Sequence, residues 1–252
     1  MEDNVRSIDR TLDILEAIAA SGQSVGLSQI ARDTGMSKST VHRLLATLCA
    51  RQYVDKNPEG SYGIGYKLME LVSHHINQID ILTEARPFLN SLSRELSLTT
   101  HLGILDGTDV IYIEKMDIIK PAGGYAQIGQ RSPAYCSSIG KCLLACLSGK
   151  ELEEALYGYK FEKHTCNTIT NASEFKRYLK VVRKQGWAID NEEFEIGHRC
   201  VGAPVFDYRG SAIAAVSASG STREMPDGEL ESIIKRVVET ASLLSRKMGY
   251  AE

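Results

Sequence analysis

The apolar positions at the start of the chain recur at helical spacing and stop at turn-forming residues. Residues 7–21 carry five apolar side chains spaced as on one face of a helix, and Gly22 ends the run. Residues 27–48 then predict two short helices joined by a tight turn. Ser28 can cap the first of these helices, and Gly35 suits the left-handed residue that ends it. The pattern therefore predicts a small unit of three helices.

The last of these helices combines an apolar face with a polar one. Ser37 precedes it and can cap it. Four apolar residues spaced at i, i+3, i+4 and i+7 face inward, and they are Val41, Leu44, Leu45 and Leu48. With Ser37, the residues left outside are Lys38, Ser39, Thr40, His42 and Arg43. Short hydrogen-bonding and cationic side chains in that place are typical of a DNA-recognition helix, and an ordinary helical hairpin in another core is the alternative.

A hairpin is predicted directly after the third helix. Residues 53–56 and 61–64 have strand character and flank the sequence Asn-Pro-Glu-Gly. Pro58 and Gly60 favour a type I turn at that sequence. Three helices followed by a hairpin predict a winged helix-turn-helix domain over residues 1–66, and this context favours DNA binding over the helical-hairpin alternative.

The segment that follows the hairpin has helical periodicity with a single apolar stripe. The stripe consists of Leu68, Leu71, Val72 and Ile76. Because little else in the segment can pack, residues 67–80 are predicted to form a linker helix that pairs with another subunit. His74 and His75 point about 100° apart on a helix, so they are interpreted as exposed linker residues rather than metal ligands.

The remaining chain, residues 81–252, mixes helical and strand patterns. Its first helix carries Pro87, which predicts a break or the start of a new helix. Residues 99–105 and 110–115 flank an Asp-Gly turn and predict a hairpin. Further predicted segments are a strand at 125–128, helices at 137–147, 150–157 and 171–185, strands at 187–191, 200–207 and 211–219, and a final helix at 227–248. This order predicts an α+β domain with a mainly antiparallel sheet.

Length, charge and hydropathy narrow the class of protein. A chain of 252 residues exceeds the usual domain size of about 100 to 150 residues, so two domains are expected. A net charge of −3 argues against coating of nucleic acid, but residues 37–56 carry four cations against one acid, where the recognition helix would meet DNA. No apolar run reaches the roughly 20 residues of a membrane span, and the polar N-terminus is no signal peptide, which predicts a cytoplasmic protein.

Cysteine and histidine residues supply two chemical alternatives to a regulator. The six cysteines show no CxxC pair and no zinc-finger spacing. Cys136 or Cys200 can be a thiol nucleophile, with a histidine as base. The candidate bases are His101 and His198, but no local motif places a third, orienting group. A metal-binding sensor built from His198, Cys200 and Asp190 is the other alternative, although it lacks a standard zinc spacing. No cofactor, metal or catalytic residue is expected.

Three stretches of sequence carry a resemblance to a known family. They are SQIARDTGMSKSTVHRLLATL in the first domain, RSPAYCSSIGKCLLA at residues 131–145, and DNEEFEIGHRCVGAPVFDYRGSAIAAVSASG at residues 190–220. On these stretches the chain resembles the IclR family of bacterial transcription regulators over essentially its full length. The resemblance implies operator DNA as partner, a GAF-like effector-binding domain at residues 81–252, and homodimers or dimers of dimers. It also implies a repressor of a catabolic operon, controlled by a sugar acid, keto acid or aromatic acid.

The resemblance also implies which residues line the effector pocket. The matching positions are Ser138, Ile139, Asp190, Cys200, Ser217 and Ser219. Where many relatives have two very small residues, this chain has Ser138 and Ile139, which narrows one wall. Independently of the resemblance, Ser217 and Ser219 are two apart on a strand and share one face, although ordinary strand polarity explains them equally well.

The chemistry of these positions suits a carboxylate. A helix that begins near Ser138 offers backbone N–H groups and a positive dipole end to an anion. No lysine or arginine falls at the matched positions, so the helix end and the serine hydroxyls are expected to supply the donors. Asp190 can accept hydrogen bonds from ligand hydroxyls, with a solvated turn acid as the alternative interpretation of this residue.

Overall fold

A computed structural model of the chain describes residues 5–76, 80–117 and 127–251, and within them the side chains of residues 72–76 and 80 are left out. The chain divides into two compact units, residues 1–79 and 80–252. The elements of the first unit are α1 (Arg6–Ala20), β1 (Val25–Gly26), α2 (Leu27–Asp33), α3 (Lys38–Ala50), β2 (Val54–Lys56), β3 (Ser61–Ile64) and α4 (Tyr66–Ile76). In the described part of the chain, no helix is long and apolar enough to cross a membrane.

The first unit is a winged helix-turn-helix with its own core. Ile14 from α1, Ile30 from α2, and Val41 and Leu45 from α3 are fully buried against one another. Strands β1, β3 and β2 form a small antiparallel sheet in that order. Burial of these large aliphatic side chains stabilises the unit and fixes the angle at which α3 leaves the turn.

Three of the predicted cap and turn residues of this unit are confirmed, and one predicted cap is wrong. Gly35 has φ +66° between α2 and α3, and the Ser37 hydroxyl caps α3 by accepting a hydrogen bond from the Thr40 amide. The amide of Gly60 donates to the Asn57 carbonyl and closes the predicted turn. Ser28 as the cap of α2 was wrong. The helix begins at Leu27, with Gly26 at the cap position two residues before Ser28, because pairing of β1 with β3 sets where the extended chain ends.

The second unit is an α+β domain around one six-stranded antiparallel sheet. Its elements are α5 (Asp80–Leu96), β4 (Thr99–Asp106), β5 (Asp109–Met116), β6 (Arg131–Pro133), α6 (Ser138–Cys146), α7 (Gly149–Ala155), α8 (Ala172–Gln185), β7 (Ala188–Asn191), β8 (His198–Phe206), β9 (Ala212–Ser221) and α9 (Asp227–Lys247). The strand order is β6-β5-β4-β9-β8-β7. Gly186 ends α8 with φ +79°, as its sequence position suggests.

Helices cover both faces of this sheet. On β4 the Thr100 hydroxyl donates to the Leu89 carbonyl of α5, at 3.0 Å. A Cβ added at Gly103 on the same strand would meet Ile139 of α6. Because residues 100 and 103 point to opposite faces of a strand, α5 and α6 lie on opposite sides of the sheet. Helix α9 packs against α5 and β8.

One prediction in this unit was wrong, and another lies partly outside the described residues. Helix α5 continues through Pro87. Proline has no amide to donate to the Thr83 carbonyl, but both residues are exposed, so that carbonyl can bond to water instead. The strand predicted at 125–128 lies outside the described residues at 125 and 126. Its described half forms a turn closed by the Gln130 amide on the Gln127 carbonyl, with Gly129 at φ +83°, and the strand begins only at Arg131.

Candidate functional site

Helix α3 presents the predicted polar face to solvent. Ser37, Lys38, Ser39, His42 and Arg43 are exposed, and Thr40 is half-buried. The Ser37 hydroxyl also lies 3.0 Å from the Ser39 hydroxyl and 2.9 Å from the Thr40 hydroxyl. The opposite face is buried at Val41, Leu45 and Leu48. The helix is therefore held by its apolar face and leaves hydrogen-bonding and cationic groups accessible near its N-terminal end.

The second candidate site lies where the sheet of the second unit meets the N-terminus of α6. Sheet register places Ser219 opposite Cys200, and Cys200 opposite Asp190, in one row across β9, β8 and β7. Ser217 belongs to the next row, opposite His101 on β4. All of these side chains are buried. Four of the six predicted pocket residues are thus brought together on one face of the sheet by strand pairing alone.

The other two predicted residues, Ser138 and Ile139, form the first turn of α6. Ser137 caps this helix by accepting from the Gly140 amide at 3.0 Å. A Cβ added at Gly202 would lie 3.0 Å from the Ser138 carbonyl carbon and 3.2 Å from the Ile139 nitrogen, so the helix end rests directly on β8. The helix itself supplies no acceptor for its first-turn amides, which gives this end its affinity for anions.

Asp190 is not a solvated turn acid. Only 1% of its surface is exposed, and its Oδ1 accepts a hydrogen bond from the Glu193 amide at 2.8 Å. This bond ties the end of β7 to the loop that precedes β8. A buried carboxylate requires compensation, so the interpretation of Asp190 as part of a site is favoured over surface polarity.

Lys141 is a buried cation near Asp190 that the sequence analysis did not name. Lys141 of α6 is fully buried, forms an ion pair with Glu193 and donates to the Ile189 carbonyl at 2.8 Å. Burial raises the pKa of Glu193, and the charge of Lys141 opposes that rise. The sequence analysis considered cations only at the matched positions and therefore did not name Lys141. The available signal was a lone lysine inside an otherwise apolar helix, which must be paired when buried.

His101 is the second missed residue of this site. It is 1% exposed, and its ring meets that of Tyr112 edge-on with centroids 5.4 Å apart. Burial lowers the pKa of His101 to about 3. Burial likewise raises the pKa of Tyr112, whose hydroxyl is hydrogen-bonded to the Ser132 side chain. The sequence analysis had considered His101 only as a base for a thiol nucleophile.

The geometry gives little support to thiol or metal chemistry. Burial raises the pKa of Cys136 to about 12, so this residue is a thiol rather than a thiolate near neutral pH. The Cys200 sulfur lies 3.6 Å from Nδ1 of His198, so these two residues do share a face. Nevertheless, no group of three His, Cys, Asp or Glu side chains among the described residues is arranged to hold a metal ion.

Comparisons with known proteins agree with both units. Residues 7–58 match the IclR helix-turn-helix domain, and residues 73–246 match the bacterial transcriptional regulator IclR C-terminal domain. The HTH-type transcriptional regulator XynR of Escherichia coli K12 is 39% identical over 247 residues, covering 98% of both chains. The transcriptional repressor IclR of the same organism is 30% identical over 248 residues, covering 97% of this chain and 90% of that one.

Solved structures extend the agreement to the backbone. The crystal structure of the Thermotoga maritima IclR has a TM-score of 0.86 and 33% sequence identity, covering 98% of this chain and all of that one. A winged helix joined to a separate α+β domain with an interior polar site defines a ligand-controlled transcription regulator. The chain belongs to the IclR family, as a DNA-binding regulator with a C-terminal effector-binding domain. Since its relatives are named as regulators, the enzymatic alternative is not favoured.

Proposed function

We propose that this regulator represses a catabolic operon and is controlled by a small hydroxylated organic acid bound beneath α6. The observation that carries the proposal is the row of buried polar side chains Ser219, Cys200 and Asp190 on the sheet face that the first turn of α6 approaches. Buried polar side chains that converge next to a helix N-terminus suit a ligand with several oxygens.

The orientation of the ligand follows from charge. Its carboxylate points to the amides of Ser138 and Ile139, where the helix dipole is positive. Its hydroxyl groups point to Asp190, Ser217 and Ser219, because an ionised carboxylate only accepts hydrogen bonds. A second carboxylate near Asp190 would face like charge, so a sugar acid suits the site better than a dicarboxylic acid. Keto acids and aromatic acids offer fewer hydroxyls to these partners.

The polar face of α3 is proposed to enter the major groove of operator DNA. Lys38 and Arg43 supply cationic contacts, and Ser39, Thr40 and His42 supply hydrogen bonds to base edges or phosphates. The wing turn between β2 and β3 lies near the DNA backbone in this arrangement. Because bacterial operator DNA is in the cytoplasm, the proposal also places the protein there.

Two copies of the chain are proposed to bind one operator. A single winged helix reads only a short half-site, so useful specificity needs a second one at a multiple of the helical repeat. Val5, which precedes helix α1, and Ile8 and Leu12 within the helix are 57%, 57% and 50% exposed, and they are spaced along one side. These residues, together with the stripe of α4, are the proposed seam of a homodimer, which can pair again into a dimer of dimers.

A gel-shift titration with DNA from upstream of the protein's own gene tests the proposal. We expect the protein to retard this fragment without added ligand, and D-gluconate or a related sugar acid to reduce the retarded fraction. Pyruvate and benzoate serve as the keto-acid and aromatic-acid comparisons. Release by pyruvate or benzoate but not by any sugar acid would contradict the proposed ligand class. A fragment bound equally with and without all of these acids would contradict effector control by such acids.

A further inference from the structure

His101 holds a buried polar atom that no group in the described part of the chain satisfies. The residue lies on β4, and the sheet pairs it with Ser217 on β9 and with Lys115 on β5. Its Nε2 has no hydrogen-bond partner anywhere in residues 5–76, 80–117 and 127–251. A buried nitrogen without a partner destabilises a folded protein. Such an atom in a native structure needs a reason, and a ligand-binding role is one.

The neighbours of His101 pack against its ring or bond to other groups, and none of those described below bonds to Nε2. The Tyr112 ring packs edge-on against the imidazole, with an angle of 63° between the ring planes. The Tyr112 hydroxyl has its own hydrogen bond to the Ser132 side chain. Lys115, the neighbour on the other side, is paired with Asp117 at 3.2 Å. Tyr112 and Lys115 thus have partners of their own, and the Tyr112 ring packs against the imidazole.

The charge state of His101 limits what it can bind. Burial lowers the pKa of His101 to about 3, and the positive charge of Lys115 is the second cause of this shift. The imidazole is therefore neutral near pH 7, with one N–H donor and one acceptor nitrogen. A hydroxyl group can donate to or accept from such a ring, whichever nitrogen carries the proton. A neutral histidine therefore suits a hydroxyl better than it suits a second carboxylate.

We propose that His101 binds the effector directly through Nε2 and selects for a ligand hydroxyl. The inference rests on the proposed function, because it requires the effector to occupy the face of the sheet beneath α6. His101 and Ser217 are direct neighbours across two strands, so one ligand hydroxyl can bond to both. A ligand without a hydroxyl at this place leaves Nε2 unsatisfied and binds more weakly.

Two substitutions of His101 in the full-length protein test this role. His101→Phe keeps a flat ring without nitrogen, and His101→Gln places an amide close to the position of Nε2. We expect His101→Phe to weaken D-gluconate binding at least tenfold by calorimetry, and His101→Gln to lose less. Without ligand, His101→Phe should melt at or above the temperature of the unsubstituted protein, because an unsatisfied polar atom has been removed. His164→Phe, at an exposed histidine, is the matched control and should bind D-gluconate normally.

The two readouts separate this proposal from the proposed function. If His101→Phe binds D-gluconate as the unsubstituted protein does, His101 is not a ligand contact. If His101→Phe melts clearly lower without ligand, Nε2 has a structural partner and the proposal fails. An unsubstituted protein that binds none of D-gluconate, pyruvate and benzoate contradicts the proposed function. In that case the role of His101 in binding falls with the proposed function, and the melting temperature of His101→Phe reports only whether Nε2 has a structural partner.

Discussion

Arg43 is exposed on α3, two residues after the buried Val41 that anchors the helix. An arginine in this place can form paired hydrogen bonds with a guanine edge. We expect Arg43→Ala to weaken specific operator binding by about 1 to 3 kcal/mol, measured by fluorescence anisotropy. Equal loss on unrelated DNA would make Arg43 a phosphate contact, and no loss would refute the assignment of α3. Arg177→Ala, at an exposed position on α8, is the control.

Ser217 and Ser219 test the effector site itself. Each hydroxyl is expected to form a hydrogen bond with a charged or strongly polar ligand group. Replacement of either serine by alanine should therefore weaken sugar-acid binding by about 1 to 3 kcal/mol in calorimetry. Operator affinity without ligand should hardly change, since neither residue belongs to the first unit. Ser211→Ala, exposed just before β9, is the control, and wild-type affinity in both test variants would place the ligand elsewhere.

Individual residues of the site were predictable only where strand geometry decides their direction. The two-residue spacing of Ser217 and Ser219 predicts one shared face, and the sheet confirms it. Lys141 was missed because its partner, Glu193, lies 52 residues further along the chain, and a sequence pattern carries no information about such a distant contact. The burial of His101 was not predictable for a similar reason, since it depends on the pairing of β4 with β9.

At the scale of elements, the Lys141–Glu193 pair joins α6 to the loop after β7. Removal of one partner from a buried ion pair leaves an uncompensated charge, so Lys141→Met should lower the free energy of unfolding by about 3 to 5 kcal/mol near neutral pH. Adding Glu193→Gln should restore part of the loss. Urea denaturation measures both variants. Lys150→Met, which breaks an exposed pair with Glu154, should cost far less.

The same pair gives a pH dependence with a definite sign. The pKa of Glu193 lies above its ordinary value of 4.5, and Lys141 is the group that restrains the rise. In Lys141→Met that pKa should rise further. Between the unfolded and the folded pKa, the folded state binds more protons, so stability falls as pH increases. The urea midpoint of Lys141→Met should therefore fall further below that of the unsubstituted protein at about pH 8 than at about pH 5. A difference that is the same at both pH values would refute this assignment.

Most helices and strands were predictable because their caps and apolar periods agree with each other. Ser37 and Gly35 mark helix ends in the sequence, and each marks an end in the structure. The errors came from context. Gly26 displaced Ser28 as a cap because of a strand pairing, and Pro87 was tolerated because that side of α5 faces water. Such context belongs to the assembled domain rather than to any local stretch.

At the scale of the whole molecule, the exposed apolar residues of α1 bear on assembly. Ile8 and Leu12 are 57% and 50% exposed, which is unfavourable for a monomer that carries a further apolar stripe nearby in sequence. We expect Ile8→Asp with Leu12→Asp to shift the protein toward monomers in light scattering and to reduce operator binding at least tenfold. Val181→Asp, an exposed apolar residue of α8, is the control. Unchanged mass and DNA binding would exclude α1 from the interface.

Alternate residues of strand β4 point to the two opposite faces of the sheet. His101 faces the ligand side, while Thr100 is bonded to the Leu89 carbonyl of α5 on the other side. Helix α5 is the first element of the second unit, so it is also the segment through which the chain arrives from the DNA-binding unit. A single strand thus separates the proposed ligand site from the helix by which the chain enters the second unit.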